Sequence, residues 1–464
     1  MAPRSPAPEV PRAGGPAYRA VRALARWLLG LAYRRVEVEG VEHVPVTGPV
    51  LLVANHQNAL VDSLALLHAT PRPAGPLAKA PLFRVPLLAT LLRGVGAVPV
   101  FRPQDAAVNE GRGARANLEV LEACAARLRA GEALVLFPEG VSHAAPRLMP
   151  LRTGAARIAL DAGVPVTVVP VGLVFEAAGR RRGAALVRFG APLRIDGSTL
   201  VPTGRRAAVV ATTRAFEAAL QAVVAEADSH TDLAAMAVLD VVLTQARHEP
   251  AGATLAARHA GVRRLAKALP ALRRVDPVAL DALRASTTAY GRTLAAVGLP
   301  LAHADAAFSP GKVLRFLATN LLRLVVLGPP ALLAAVVTWP ARALGGVLAL
   351  RRGPAAEDVV VLDRILGTFV ALAGFTAVAA VALGVAVSAW AALVALVGVP
   401  LLLALHLAWR DARADAAEHA RAFFLLAGGR WRDDLRRQRE AIVAEVAAAR
   451  ATLARAGIQE DPVG

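Results

Sequence analysis

The stretch Leu51–Ala54 is an unbroken apolar run. It is followed at once by Asn55, His56, Gln57 and Asn58, and Asp62 lies a few residues further on. Imidazole is the one side chain whose ordinary pKa lies close to neutrality. A carboxylate beside it can fix its tautomer and stabilise its protonated form, which makes the pair a general base with an orienting acid. The same residues also suit a capped turn, with Asn55 or Asn58 opening a helix and Asp62 on its solvated face. Taken alone, the stretch favours the turn.

Three further stretches have the same form. They are GAVPVFR at 96–102, FPEGVSH at 137–143 and VPVG at 169–172. Each ends an apolar run on polar, Gly or Pro residues. Singly they say little: Pro-Glu-Gly is a turn composition, and Arg102 could be a surface charge. In an open α/β sheet, however, ligands bind beyond the carboxyl ends of the strands. An ordered series of such ends is the pattern of a site.

The elements that must carry these ends read as short apolar strands at Val36–Glu39, Val50–Ala54, Ala97–Phe101, Ala133–Phe137, Pro165–Val174 and Ala185–Phe189. Helical periodicity falls between them, notably over 115–130 and 153–162, the second opening on Thr153 as N-cap. Alternation of this kind gives the fold class: α/β, a mixed sheet flanked by helices.

Composition sets the surroundings. Of 464 residues, 56% are hydrophobic and only 19% charged, and the mean hydropathy is +0.48. That is too apolar for an ordinary soluble chain and calls for membrane segments. The net charge of +18 suits an anionic partner, and aromatics at 4% leave few stacking platforms for bases. The partner expected is therefore a membrane surface and not nucleic acid. The single cysteine, Cys124, excludes an internal disulfide and a Cys-rich metal site; it lies in the apolar series Leu118, Leu121, Cys124, Leu128 and reads as a core residue. No metal ligands are expected.

Five segments follow. Residues 1–17 are Pro- and Ala-rich and read as disordered. Residues 18–204 hold the α/β domain, opened by a basic amphipathic helix (Val21, Leu24, Leu28 and Leu31 opposite Arg19, Arg22 and Arg26) that suits either the bilayer interface or packing on the domain. Residues 205–310 read as a helical subdomain. Residues 311–410 read as a membrane segment: Ile365–Trp409 contains no Asp, Glu, Lys or Arg, which is enough for two spans of roughly 20 residues with a turn near 386–389. An earlier apolar stretch, Leu324–Ala341, reads either as a further pass or, because Pro329, Pro330 and Pro340 interrupt it, as a re-entrant or interfacial segment. Arg342, Arg351, Arg352 and Arg364 before the uncharged run, and Arg410 after it, predict a hairpin with both ends in the cytoplasm. Residues 411–464 read as an amphipathic helical tail, with Leu435, Ile442, Val446, Ala449 and Leu453 at helical spacing.

In order and spacing, the four stretches resemble the motifs of the glycerolipid acyltransferases. The resemblance extends to VEVEGVEHVPVTGPVLLVANH (36–56), AKAPLFRVPLLATLLRGVGAVPVFR (78–102) and LRTGAARIAL (151–160), and covers roughly residues 18 to 200. More loosely, the C-terminal hairpin resembles the branch that acylates glycerol-3-phosphate or dihydroxyacetone phosphate. One departure stands out. The family's first motif has four residues between His and Asp; here Gln57–Val61 makes five. One extra residue would turn a helical position by about 100°, so a loop around Gln57–Ala59 must absorb it.

The resemblance implies a membrane-bound O-acyltransferase of phospholipid biosynthesis, with its catalytic domain on the cytoplasmic face. The donor would be acyl-CoA or an acyl carrier protein. The acceptor would be glycerol-3-phosphate, dihydroxyacetone phosphate, lysophosphatidic acid or another lysophospholipid, drawn from or delivered to membrane lipids. No cofactor is implied. His56 would be the base and Asp62 its orienting acid. Arg102 would bind acceptor phosphate, aided by Lys79, with Gly96 allowing the turn before it. Glu139 would bind a glycerol hydroxyl, hold Arg102 in place or serve as a purely structural anchor, and Gly140 would permit close backbone approach. Arg152, Thr153 and Gly154 could offer a helix N-terminus to phosphate, although Thr153 also reads as a plain cap. Pro170 and Val171 would shape the acyl or donor channel. The competing class is a non-catalytic membrane scaffold that retains the fold.

Overall fold

The structure, a computed structural model, describes residues 14–101, 113–176, 182–197, 204–247, 254–299, 301, 310–350, 357–427 and 429–458. They fall into two compact units. The first comprises Met1–Gly30, Arg35–Phe175 and Ala185–Val224; the second comprises Leu31–Arg34, Glu176–Ala184 and Ala225–Gly464.

The first unit is the mixed α/β layer. Along the chain it runs α1 (Pro16–Ala32), β1 (Arg35–Glu39), β2 (Val50–Ala54), α2 (Leu60–Ala69), β3 (Ala74–Lys79), α3 (Pro86–Gly94), β4 (Val98–Val100), α4 (Gly113–Arg129), β5 (Ala133–Leu136), α5 (Gly154–Asp161), β6 (Pro165–Phe175), β7 (Ala184–Phe189), β8 (Leu193–Asp196) and α6 (Arg205–Gln221). The eight strands form one sheet in the order β1-β7-β6-β2-β5-β3-β4, with β8 also paired to β6. From β6 through β2, β5 and β3 to β4 the pairing is parallel; β7 and β8 run antiparallel to β6. Every residue of β2 and β5 is buried. That is why the sequence writes them as continuous apolar runs instead of alternating ones.

Most strands lie within a residue or two of their sequence positions, but β8 was not anticipated, nor was β3. Its sequence, AGPLAK, carries Gly and Pro and lacks β-branched residues, so propensity points away from a strand. Tertiary packing overrides propensity here. A Cβ at Gly75 would stand 2.5 Å from the Gly96 carbonyl and 2.7 Å from the Arg127 guanidinium, so only glycine fits. Pro99 is tolerated in β4 because β4 is the edge of the sheet.

Helix α1 buries Tyr18, Ala25, Leu28 and Leu29, and Arg22 caps the end of α2 through the carbonyls of His68 and Thr70. Of its two sequence readings, these contacts are those of packing on the domain. Helix α6, read from the sequence as the start of the helical subdomain, joins the first unit, because Phe216, Leu220 and Val223 complete the core under β2 and β6. The VPVG stretch is likewise explained by packing. Val171 is fully buried, and a Cβ at Gly172 would come 2.5 Å from the Val223 carbonyl. The channel role expected of Pro170 and Val171 is replaced by this close approach.

In the second unit, α7 (His230–Ala246), α8 (Leu255–Val275) and α9 (Pro277–Val297) pack with α13 (Arg430–Arg455). The periodic residues of α13 are all buried, Leu435, Ile442 and Val446 in one cluster and Ala449 and Leu453 in another. Helices α10 (Pro310–Leu350), α11 (Glu357–Ala386) and α12 (Ala389–Ala427) pack on one another. The break between α11 and α12 falls at Val387 and Ser388, within the expected turn, and the Ser388 hydroxyl accepts from the Ala391 N–H at 3.2 Å. Contrary to the reading of an interrupted stretch, α10 continues through Pro329, Pro330 and Pro340. Among the described residues one stretch, Ala389–Leu426, is long and apolar enough to cross a bilayer.

If burial of its apolar stripe is what holds α13, Ile442→Ala should destabilise the second unit by about 2–4 kcal/mol. The exposed Arg436→Ala should change stability by less than about 0.5 kcal/mol. Chemical denaturation of the two variants, followed by circular dichroism, reads the difference.

Candidate active site

The parallel strands β2, β3, β4 and β5 all deliver their carboxyl ends to one edge of the sheet. At the end of β2, Asn55 is buried and adds one more rung to the ladder with its side chain. Its Oδ1 accepts from the Leu173 N–H at 2.7 Å, and its Nδ2 donates to the Leu173 carbonyl at 3.1 Å. The chain therefore stays in register with β6 up to His56. The His56 ring stacks on Phe137 at the end of β5, with centroids 4.1 Å apart and planes 17° from parallel.

His56 Nδ1 lies 2.8 Å from Asp62 Oδ2. The carboxylate has no exposed surface, and Oδ2 also accepts from the Asn58 N–H at 2.8 Å. Burial pushes the Asp62 pKa above the usual carboxylate range. The hydrogen bond and charge of His56, followed by the backbone N–H groups of Asn58 and Gln57, pull the other way. With Nδ1–H donating to the carboxylate, Nε2 carries the lone pair, and His56 lines the cavity described below.

The five-residue spacing is absorbed at a single residue. Ala59, immediately before α2, has φ 46° and ψ −112°, and it is the one non-glycine residue with positive φ among those described. An alanine held there carries strain of roughly 1–3 kcal/mol. The kink lets α2 begin at Leu60 with Asp62 in its first turn, facing His56. This is the loop solution that the spacing demanded.

Of the readings given for Glu139, the geometry is that of a structural anchor and not of a substrate contact. Glu139 is buried, and both its oxygens are engaged within the protein. Oε1 accepts from the His56 N–H at 2.8 Å; Oε2 accepts from the Met149 N–H at 2.8 Å and is paired with His143 Nε2. Its position is that of an anchor for the backbone of His56, with no oxygen turned to a ligand. Gly96, at φ +70°, makes the turn before β4, and its carbonyl accepts from Arg127; it lies away from the cavity. Arg102 lies outside the described residues.

A cavity of about 560 Å³ opens against His56, within the usual range of roughly 300–1,000 Å³ for small-molecule sites. Lys79 at the end of β3, Gly140, Thr153 and Gly154 line it, as the sequence grouped them. It also takes in Arg152 and Arg157, of which only Arg152 was marked in the sequence, and the apolar side chains Leu77, Val120, Leu121, Leu136 and Leu151. Arg157 follows Thr153 by one helical turn, a spacing that places both on the same face of α5. Gly140 has φ +73°, and a Cβ there would come 2.6 Å from Arg152 Nε. Thr153 makes no side-chain cap hydrogen bond, so its expected capping bond is not formed. Cys124 is fully buried, and burial pushes its thiol up to about 12, so it supplies no thiolate near neutral pH.

Residues 35–174 match the model of the Acyltransferase family. The mouse (Mus musculus) 1-acyl-sn-glycerol-3-phosphate acyltransferase alpha is 32% identical over 145 residues, which is 31% of this chain and 46% of that protein. Glycerol-3-phosphate O-acyltransferase 2 of Saccharomyces cerevisiae is 34% identical over 86 residues, 18% of this chain and 12% of that one. This chain thus spans less than half the length of these relatives. A solved structure from Thermotoga maritima, of the 1-acyl-sn-glycerophosphate (LPA) acyltransferase PlsC, is 21% identical and covers 43% of this chain and 78% of its own. Its TM-score of 0.32 is too low to bear on the fold.

The buried carboxyl gives a stability signature. Because its folded pKa is raised, the stability Asp62 contributes is present below the unfolded value of about 3.9 and is lost as pH rises through the folded pKa. Asp62→Asn has no such loss. Its melting temperature should match the wild type in acid and rise above it as pH climbs toward neutrality. A variant that gained nothing with rising pH would contradict the direction of the shift.

Proposed function

We propose that this protein is a membrane-bound O-acyltransferase that moves a fatty acyl group from a thioester donor to the hydroxyl of a glycerol-phosphate-type acceptor. The observation that carries the reading is the His56–Asp62 pair at the wall of a cavity that combines cations with apolar surface.

The chemistry follows from the geometry. The acceptor hydroxyl gives its proton to His56 Nε2 as its oxygen attacks the thioester carbonyl carbon. Asp62 stabilises the imidazolium so formed and holds the ring through Nδ1–H. The tetrahedral intermediate collapses with cleavage of the C–S bond, and the departing thiolate takes the proton back from Nε2. The hydroxyl attacks directly, so no enzyme nucleophile enters. Lys79, Arg152 and Arg157 supply positive charge for the acceptor's phosphate. Arg102 adds a planar fork by resemblance to the family. The aliphatic wall suits an acyl chain.

Acyl-CoA or an acyl carrier protein serves as donor. The acceptor is glycerol-3-phosphate, dihydroxyacetone phosphate or lysophosphatidic acid. The uncharged part of α12, up to Trp409, paired with α11, anchors the chain as a hairpin whose flanking arginines favour a cytoplasmic catalytic domain.

Acyl transfer in sealed vesicles of inverted orientation, with donor added outside, tests these points together. Wild-type protein should acylate at least one acceptor of the panel. His56→Ala should lose about 10²–10⁴-fold in turnover with its circular dichroism intact. Near-normal turnover in a folded His56→Ala variant refutes the base assignment. Activity that appears only after the vesicles are opened refutes the orientation.

A further inference from the structure

We propose that Ser142 and His143 are positioning residues for His56. They form a clamp that holds the loop between β2 and α2 in the shape that pairs His56 with Asp62. The proposal rests on the reading of His56 as the base.

The five-residue loop is tied within itself by Asn58 N–H to Asp62 Oδ2 and by Val61 N–H to the Asn58 carbonyl, yet it holds one strained residue. Ala59 sits at φ 46°, ψ −112°, a conformation an L-residue with a Cβ avoids, and no side chain caps the start of α2. Further restraints come from the segment that follows β5. The Ala59 N–H donates to Ser142 Oγ at 3.1 Å, so the hydroxyl braces the strained residue itself. The His143 N–H donates to the His56 carbonyl at 3.1 Å, while the His56 N–H donates to Glu139 Oε1. Both backbone polar groups of His56 are thereby fixed from one segment.

The His143 side chain closes the clamp. Its Nδ1 accepts from the Ala145 N–H at 3.1 Å, which leaves the ring proton on Nε2, and Nε2 bonds Glu139 Oε2. His143 thus steadies the carboxylate that holds His56. Neither Ser142 nor His143 lines the cavity, so neither is placed to touch substrate. Their reach is to the backbone of the loop. A displacement of about 1 Å at a reacting group can cost on the order of a hundredfold in rate. Loosening this clamp should therefore appear in kcat.

The test uses the full-length protein in lipid vesicles and measures kcat and acceptor KM. Ser142→Ala and His143→Ala should each lower kcat about tenfold or more, with KM changed less than about twofold. Ser142→Thr, which keeps the hydroxyl, should recover most of the kcat. Ala59→Gly placed on Ser142→Ala should also recover it, because glycine adopts the loop conformation without a brace. Melting temperatures accompany each variant; should an alanine variant not fold, Ser142→Thr and the single Ala59→Gly, both expected to keep kcat, carry the test. Wild-type kcat in both alanine variants, beside an inactive His56→Ala, overturns the clamp and leaves the base assignment standing. Failure of Ala59→Gly to recover a lowered kcat overturns the bracing role of Ser142. An active His56→Ala overturns the base assignment on which the clamp depends.

Discussion

A carboxylate with no exposed surface costs several kcal/mol of desolvation unless the protein replaces the lost water. At Asp62 the replacements are the His56 imidazole and the N–H groups of Asn58 and Gln57 in the loop before α2, all gathered on the Oδ2 side, while Oδ1 is buried without a hydrogen bond. The same bonds that make the burial tolerable fix the ring by its Nδ1 and leave Nε2 to the cavity. The rest of the domain can be understood as what it takes to hold these two side chains 2.8 Å apart, one at the end of a strand and the other in the first turn of the next helix.

The sheet supplies half of that precision. β2 is central, fully buried and paired in parallel on both sides, and Asn55 continues its ladder with a side-chain amide. His56 therefore leaves the sheet from a fixed point, against Phe137 at the end of the neighbouring strand. The other half is a loop that holds a strained alanine, braced from the segment after β5. Strain stored beside reacting groups is a recognised use of local instability. Here its role is geometric: it takes up one residue so that α2 begins in phase. The cavity then follows from the strand ends, with Lys79 from β3 on one side and α5 with Arg152 and Arg157 on another.

Much of this was legible in the sequence, for physical reasons. Buried parallel strands are written as apolar runs, so β2, β5 and β6 stood out, and their polar ends marked the site. The periodicity of α13 was equally plain, because burial on one helical face leaves a repeat. Three things were hidden. β3 carries Gly and Pro because Arg127 and the Gly96 carbonyl crowd it, a constraint visible only in three dimensions. Glu139 read equally as a ligand-binding acid or an anchor because composition cannot say where an oxygen points; both its oxygens are held within the protein. Arg157 lay inside the LRTGAARIAL stretch but was given no role, although its one-turn spacing from Thr153 could have placed it on the same face of α5. The length of the His–Asp spacing was visible as an anomaly, but its resolution at Ala59 depends on Ser142, which is remote in sequence.

The central claim is that Asp62 fixes His56 with its proton on Nδ1 and its lone pair on Nε2. The nitrogen shifts of the His56 ring, measured by NMR on ¹⁵N-histidine-labelled protein at neutral pH and assigned with His56→Ala, report this directly. The expected result is a protonated Nδ1 and an unprotonated Nε2, with that preference lost in Asp62→Asn. A ring protonated on Nε2, or one averaging freely between the two tautomers in the wild type, would contradict it.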